Sequence, residues 1–339
     1  GFTLIAFAGK AVTVVPGASG SEKDRLLAAV AQIYGLTLGD DTYIGQGMAL
    51  GLEGLDQGRA SGMARRMLVL TDGFTQDEAV CREQAARAVR ARIPISTMGL
   101  GGEFNEELMI PIADRTGGEA YLLEDPDDVP PAFAREMQRA QAVRYRNLEV
   151  KLRPAQGVEV RAAYRVRPAI APLQAVDEGG SYSFALGDLV GGEAPALLLE
   201  MLVPPRSAGV YRLAQTVLAC DDPLGDLAGL KLRDDVVVEY TPDAALAAQQ
   251  TPQVLDVVEA LSAYKLQHRA HVDLDAGDVA SATRRLRAAA TRLLDMGQQA
   301  LAADMQRQAE ELEQRGRADP ARTKKLRYQT RKLTQKLGE

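Results

Sequence analysis

Residues 67–71, MLVLT, form an unbroken apolar run that ends at Asp72-Gly73. A strand without polar alternation needs cover on both faces, which is typical of a parallel sheet with helices on either side. Apolar residues at helical spacing flank this run at 44–57 and at about 76–91. The run therefore predicts a doubly wound α/β domain with a mostly parallel sheet and a ligand site at the carboxyl ends of its strands.

The first 143 residues continue this alternation, and we assign 1–143 to the α/β domain. Two β-branched runs, 2–8 and 11–15, are joined by Gly9-Lys10 and predict a hairpin. The remaining segments predict a helix over 22–34 capped by Ser21, a strand over 93–98, a helix over 104–115, a strand over 119–123 and a helix over 127–142.

Two further regions follow. Residues 144–242 show period-two alternation between Gly, Pro and Asp turns, which predicts an antiparallel β-sandwich. Residues 243–339 are rich in Ala, Leu, Gln and Arg and predict a helical region, with helices near 252–270, 279–296 and 298–316 and Asp278 as the cap of the second. The last 20 residues carry seven Lys or Arg and one acid, so we expect an exposed helix or a frayed basic tail.

Composition excludes several classes of function. The net charge of -6 over 339 residues disfavours nucleic-acid binding, and no apolar run reaches the roughly 18–20 residues that a membrane span needs. Cys81 and Cys220 show no zinc or disulfide pattern. His268 and His271 fit a solvated helix face, and no G-x-S-x-G motif occurs. We therefore expect no enzyme, and among the compartments the cytoplasm is favoured.

Two polar clusters fall where a ligand would bind. Asp41-Thr42 precedes the helix over 44–57, and Asp72 follows the strand over 67–71. Carboxylate and hydroxyl oxygens are hard donors that suit Mg²⁺ or Ca²⁺. The alternative is that both clusters only cap helices and turns, for which Thr and Asp are favoured.

Three strings in this order, DDTYIGQGMALGLEGL, RRMLVLTDGFTQD and IPISTMGLGGEFNEELMIPIADRTGGEAYLLEDPDDV, resemble the von Willebrand factor A (VWA) domain family over residues 1–140. That resemblance implies a metal-ion-dependent adhesion site (MIDAS), in which Mg²⁺, Ca²⁺ or Mn²⁺ is held by a D-x-S-x-S loop, a Thr and an Asp. Thr42 and Asp72 match the Thr and the Asp. The order of α/β domain, sandwich and helices resembles bacterial VWA proteins.

The D-x-S-x-S loop and the family's first strand have no counterpart in these 339 residues. In the family that strand lies in the centre of the sheet, so the strands over 2–8 and 67–71 are each expected to keep one open edge. We therefore predict that a complementing segment or chain supplies a central strand, bringing an Asp and two Ser to the cation.

By family implication, the function is cation-dependent protein binding in adhesion or complex assembly, with a carboxylate of the protein ligand completing the site. Two alternatives stay open. One is a structural scaffold with a vestigial metal site, and the other is a non-catalytic subunit that partners an ATPase.

Overall fold

The computed structural model describes residues 1–57, 64–222, 227–335 and 337. The chain divides into two compact units, Gly1–Asn147 with Asp221–Ala228, and Leu148–Cys220 with Gly229–Glu339. Both the strands of the sandwich and the C-terminal helices fall mainly in the second unit. The finer division into three domains at 143 and 242 stays a prediction.

The first unit contains the alternating strands and helices that the sequence predicts. Its elements are β1 (Phe2–Phe7), β2 (Ala11–Ala18), α1 (Lys23–Ile33), α2 (Ile44–Gln57), β3 (Met67–Thr71), α3 (Glu78–Ala91), β4 (Ile95–Leu100), α4 (Glu106–Thr116), β5 (Ala120–Leu123) and α5 (Val129–Gln141), with a 3-10 turn at Pro126–Asp128. The predicted bounds of α2 and β3 are confirmed to the residue, because apolar spacing and a buried run are unambiguous there.

These strands form two separate sheets. β1 and β2 pair antiparallel as a hairpin, as Gly9-Lys10 predicts. β3, β4 and β5 pair parallel in that order, with Val69 opposite Thr97 and Thr97 opposite Ala120. Among the described residues, β1 and β3 do not pair with each other.

Helix α2 packs against strands of both sheets. A Cβ at Gly51 would lie 2.6 Å from Cε of Met67 in β3 and 3.6 Å from Cδ1 of Ile5 in β1. A side chain at this position would require the flexible end of Met67 to move aside, so the close approach of α2 to the strands is favoured by the glycine. Met48 and Leu52 fill the same buried helix face.

Helix α1 departs from the prediction. The spacing of Leu26, Leu27, Val30 and Ile33 predicts one buried stripe, but Leu27 and Val30 are 57% and 48% exposed. Ala29 is the residue of α1 that is buried, so the packed face is rotated from the predicted one. Ser21 is not the cap either: Glu22 holds the cap position, without a side-chain hydrogen bond to the helix.

The second unit contains most of the sandwich and all the C-terminal helices. The strands, some of which begin or end in the first unit, are β6 (Val143–Pro154), β7 (Glu159–Arg167), β8 (Ala171–Pro172), β9 (Val176–Asp177), β10 (Tyr182–Val190), β11 (Ala196–Leu202), β12 (Gly209–Asp222) and β13 (Leu227–Tyr240). They form a five-stranded sheet ordered β13-β12-β6-β10-β9 and a three-stranded sheet ordered β11-β7-β8. Leu152, Phe184 and Ala214 of the first sheet pack with Ala163 of the second.

The described residues after β13 form five helices: α6 (Ala244–Ala247), α7 (Pro252–Asp275), α8 (Val279–Asp295), α9 (Gln299–Arg315) and α10 (Pro320–Arg331). α8 packs against both α7 and α9, largely through buried alanines such as Ala263 and Ala289. Asp278 caps α8 by accepting from Ser281 N at 2.9 Å, as the sequence predicts. No helix of the described residues is long and apolar enough to cross a membrane.

The expectation of an exposed basic tail is wrong. Leu326, Tyr328 and Thr334 are at most 5% exposed. Ile170 N donates to Arg331 O at 2.8 Å, and the Thr334 hydroxyl donates to Val166 O. The apolar side chains of α10 supply a packing face, and long Lys and Arg side chains can bury their aliphatic stems beside it.

Candidate metal-binding site

The two loops that carry the candidate ligands are in direct contact. Thr42 precedes α2, and Asp72 follows β3 at its carboxyl end. The carbonyl oxygen of Thr42 accepts from Thr75 Oγ1 at 3.1 Å and from Gln76 N at 2.9 Å. The loop after β3 is thus hydrogen-bonded to the residue that the resemblance selects on the other loop.

Both candidate side chains are available to a ligand. The Asp72 carboxylate is exposed, whereas Thr42 is partly buried. Within the part of the chain that the structure describes, neither side chain takes part in a hydrogen bond or an ion pair. Asp72 lies in a tight turn held by the Thr71 hydroxyl, which accepts from Gly73 N at 3.3 Å.

Asp77 fixes the start of α2 from the other loop. Its carboxylate accepts from Gly45 N at 3.0 Å and from Gln46 N at 3.1 Å, and Thr75 Oγ1 donates to it at 2.7 Å. These are first-turn amides that have no partner within a helix. The protein's own carboxylate therefore occupies the anion-binding end of α2.

The same carboxylate affects Cys81. Burial, followed by the charge of Asp77, raises the pKa of the Cys81 thiol from 9.0 to about 12. Its Sγ lies 3.6 Å from Asp77 Oδ1. The thiol is therefore held as a neutral donor to Asp77, which disfavours metal binding by Cys81 because a thiolate is the ligand form.

The donor set suits a hard cation but is incomplete. Ca²⁺ takes six to eight oxygens and Mg²⁺ takes six, whereas Thr42 and Asp72 offer two groups. Among the described residues, no three His, Cys, Asp or Glu side chains cluster in a way that could hold a metal. A cation at this edge would need further oxygens, from water or from residues outside those described.

A second polar cluster lies at the opposite, amino-terminal ends of the strands. The fully buried Glu136 of α5 accepts from Ser96 Oγ at 2.9 Å and from the Tyr121 hydroxyl at 2.6 Å, and pairs with Arg66 at 3.0 Å. Burial, followed by the charges of Glu119 and Glu136, raises the pKa of Tyr121. The cluster ties α5 to the strands and is a structural feature.

The sequence led to Thr42 and Asp72 but not to Thr75, Asp77 or Glu136. Asp77 stands immediately before α3, a position from which the sequence suggests only a local cap. Its side chain instead caps α2 by accepting from Gly45 N, 32 residues earlier in the chain, and no local pattern carries that information.

Comparisons with known proteins agree with this architecture. A family model described as "von Willebrand factor type A domain" matches residues 1–135, and one described as "Sll0103-like, C-terminal alpha-helical domain" matches residues 252–336. The uncharacterized protein sll0103 of Synechocystis sp. (strain ATCC 27184 / PCC 6803 / Kazusa) is 25% identical over 294 residues, which cover 85% of this chain and 69% of that protein.

Two solved structures share the fold. A von Willebrand factor type A protein from Catenulispora acidiphila matches with a TM-score of 0.82 and 17% identity, over 98% of this chain and 80% of that chain. The ArnB paralog VWA2 from Sulfolobus acidocaldarius matches with a TM-score of 0.53 and 16% identity, over 98% and 78%. Residues 1–135 therefore match the VWA domain family and share its fold, and residues 252–336 match the Sll0103-like C-terminal helical domain.

Proposed function

We propose that this protein is a non-catalytic binding module whose VWA domain captures a protein ligand through a divalent cation. Domains of this family are generally interaction modules. The observation that carries the proposal is the hydrogen-bonded contact between the loops of Thr42 and Asp72, with two hard-oxygen side chains that have no partner among the described residues. A carboxylate of the ligand completes the coordination, in adhesion or in complex assembly.

The surroundings of Asp72 support a protein ligand. Phe74, two residues further along the same loop, is 61% exposed. A large aromatic side chain that is held out to solvent is a common anchor of protein interfaces. A partner that reaches the cation with a carboxylate would also cover this ring.

We also propose that a strand from outside these residues enters between β1 and β3. β1 pairs along one edge with β2, and β3 along one edge with β4, while α2 packs against both at Gly51. One inserted strand would lie about 4.8 Å from each neighbour and would give both edges backbone partners. An experimental structure with β1 hydrogen-bonded directly to β3 would contradict this.

Titration of Mg²⁺ or Mn²⁺ by calorimetry tests the cation site. The protein should bind the metal, and both Asp72→Ala and Thr42→Ala should weaken binding by at least tenfold. Asp24→Ala, which removes another exposed carboxylate, is the matched control and should bind like the wild type. Because a ligand of the folded state stabilises it by mass action, the metal should raise the melting temperature of the wild type and the control only.

If the wild type and Asp72→Ala bind metal equally well, the metal site does not lie at this edge of the sheet. If neither binds metal while both remain folded, the scaffold alternative is favoured.

A further inference from the structure

Strand β13 is a long and exposed edge of the five-stranded sheet. It has 14 residues, stands at the end of the strand order, and contains no proline. Leu232 and Val237 are 68% and 60% exposed. Natural proteins usually protect such edges with short strands, prolines, bulges or charged side chains, because an open edge is a template for pairing with another strand. β13 is long and has no proline, but it carries five charged residues, so any partner strand must match its charges.

The direction of β13 follows from its contacts with β12. Thr216 donates through Oγ1 to Asp234 O at 3.0 Å, and the rings of Tyr211 and Tyr240 meet edge to face at 5.5 Å. Residue numbers fall along β12 as they rise along β13, so the two strands are antiparallel. β12 thus takes one edge of β13, and no strand of the described residues pairs with the other.

The charges along β13 change sign at its middle. Lys231 and Arg233 come first, and Asp234, Asp235 and Glu239 follow. A strand with this order is complementary to its own reverse. Two copies paired antiparallel therefore set the basic half of one against the acidic half of the other.

We propose that β13 pairs edge to edge with β13 of a second copy of this chain, around a two-fold axis at Asp234. In this register Arg233 of each copy stands opposite Asp235 of the other, on one face of the joined sheet. On the other face Leu232 stands opposite Val236, and Leu230 opposite Val238.

Each such cross-strand pair is stabilising, and the symmetry makes every pair occur twice. The cost is one like-charge contact, Asp234 with its symmetry mate. A shift by two residues, with the axis at Arg233, places Leu232 opposite Asp234 and is the poorer register. In the joined sheet the partner strand would also cover Leu232, whereas in a single copy of the chain this side chain is exposed to water.

The test reverses one charge at a time. In Arg233→Asp, both Arg233–Asp235 pairs become acid against acid. In Asp235→Arg both become base against base, and the pair that Asp235 makes with Arg212 of its own chain at 3.5 Å is lost as well, so Arg233→Asp is the more direct test. We expect the wild type to dimerise in sedimentation experiments. The dissociation constant of each variant's dimer should be higher by roughly tenfold or more. An equimolar mixture of the two variants should restore the dimer, because a mixed pair again has opposite charges at both positions.

Arg269→Asp, an equal charge reversal at an exposed position of α7, is the control and should dimerise like the wild type. Circular dichroism checks that all variants are folded. A wild type that stays monomeric at about 100 μM overturns the proposal. So does a dimer that neither variant weakens, or a mixture that fails to recover it.

Discussion

At the scale of single residues, Asp77 is the group that joins the two candidate loops. One carboxylate accepts from two backbone amides of α2 and from the Thr75 hydroxyl. Negative charge at a helix amino terminus is favourable for the helix dipole as well. The position of Thr42, two residues before the first residue of α2, therefore depends on Asp77.

Replacement of Asp77 by Ala should lower the free energy of unfolding by about 1–2 kcal/mol, since the α2 cap is lost. Asp77→Asn retains an oxygen acceptor and should cost less. Asp24→Ala, which removes an acid from the first turn of α1, is the control. Urea denaturation measures all three, and a loss in Asp77→Ala no larger than in Asp24→Ala would contradict the capping role.

Cys81 and Cys220 should differ in reactivity. Burial and the Asp77 charge raise the pKa of Cys81 to about 12, and the thiolate is the reactive form, whereas Cys220 is partly exposed. At pH 8, a thiol reagent should label Cys220 quickly and Cys81 only on unfolding. Cys81→Ser and Cys220→Ser assign the two rates, and fast native labelling of Cys81 would show that it is not shielded.

The raised pKa of Cys81 also predicts how stability varies with pH. The folded protein holds the thiol proton to higher pH than the unfolded chain does, so this stabilisation is fully present below about pH 9 and is lost as the pH rises toward 12. Cys81→Ser should therefore lose less stability than the wild type between pH 8 and pH 10, measured by urea denaturation.

At the scale of elements, α10 is part of a core although its sequence is the most basic of the chain. Leu326 of α10 is 1% exposed, and Leu333, two residues after the helix, belongs to the same buried cluster as Leu293 and Met305 of the preceding helices. Helix α10 is therefore held by apolar burial as well as by its backbone contact at Ile170.

Leu326→Ala should cost about 2–5 kcal/mol, the usual range for a buried leucine that leaves a cavity. Leu294→Ala on α8 is the control, because Leu294 is 52% exposed and surface changes stay within about 0.5 kcal/mol. Deletion of residues 320–339 should lower the melting temperature well beyond a few degrees. An unchanged melting temperature on deletion would mean that α10 contributes no stability.

At the scale of the whole molecule, each of the two compact units has its own core. Met98 and Tyr121 belong to a cluster of the first unit, and Ala289 and Leu293 to one of the second. A substitution that weakens one core should therefore first increase local opening of the unit that contains this core.

Glu136→Gln removes the charge that pairs with Arg66 inside the first unit, which should cost about 3 kcal/mol. Hydrogen exchange followed by mass spectrometry should then speed up in β4 and stay unchanged in α8. Leu326→Ala should give the reverse pattern. Equal acceleration of both elements by either variant would show that the two units open as one.

The sequence by itself determined the type and order of the elements and the match to the VWA family, and it predicted Thr42 and Asp72 as cation ligands. Hydrophobic period and turn chemistry are local properties, so α2 and β3 could be placed to the residue. The capping of α2 by Asp77, the exposed Leu27 and the buried α10 were decided by the tertiary structure alone. Each depends on which surfaces meet across long stretches of chain, and a local pattern shows that a face is apolar without showing what covers it.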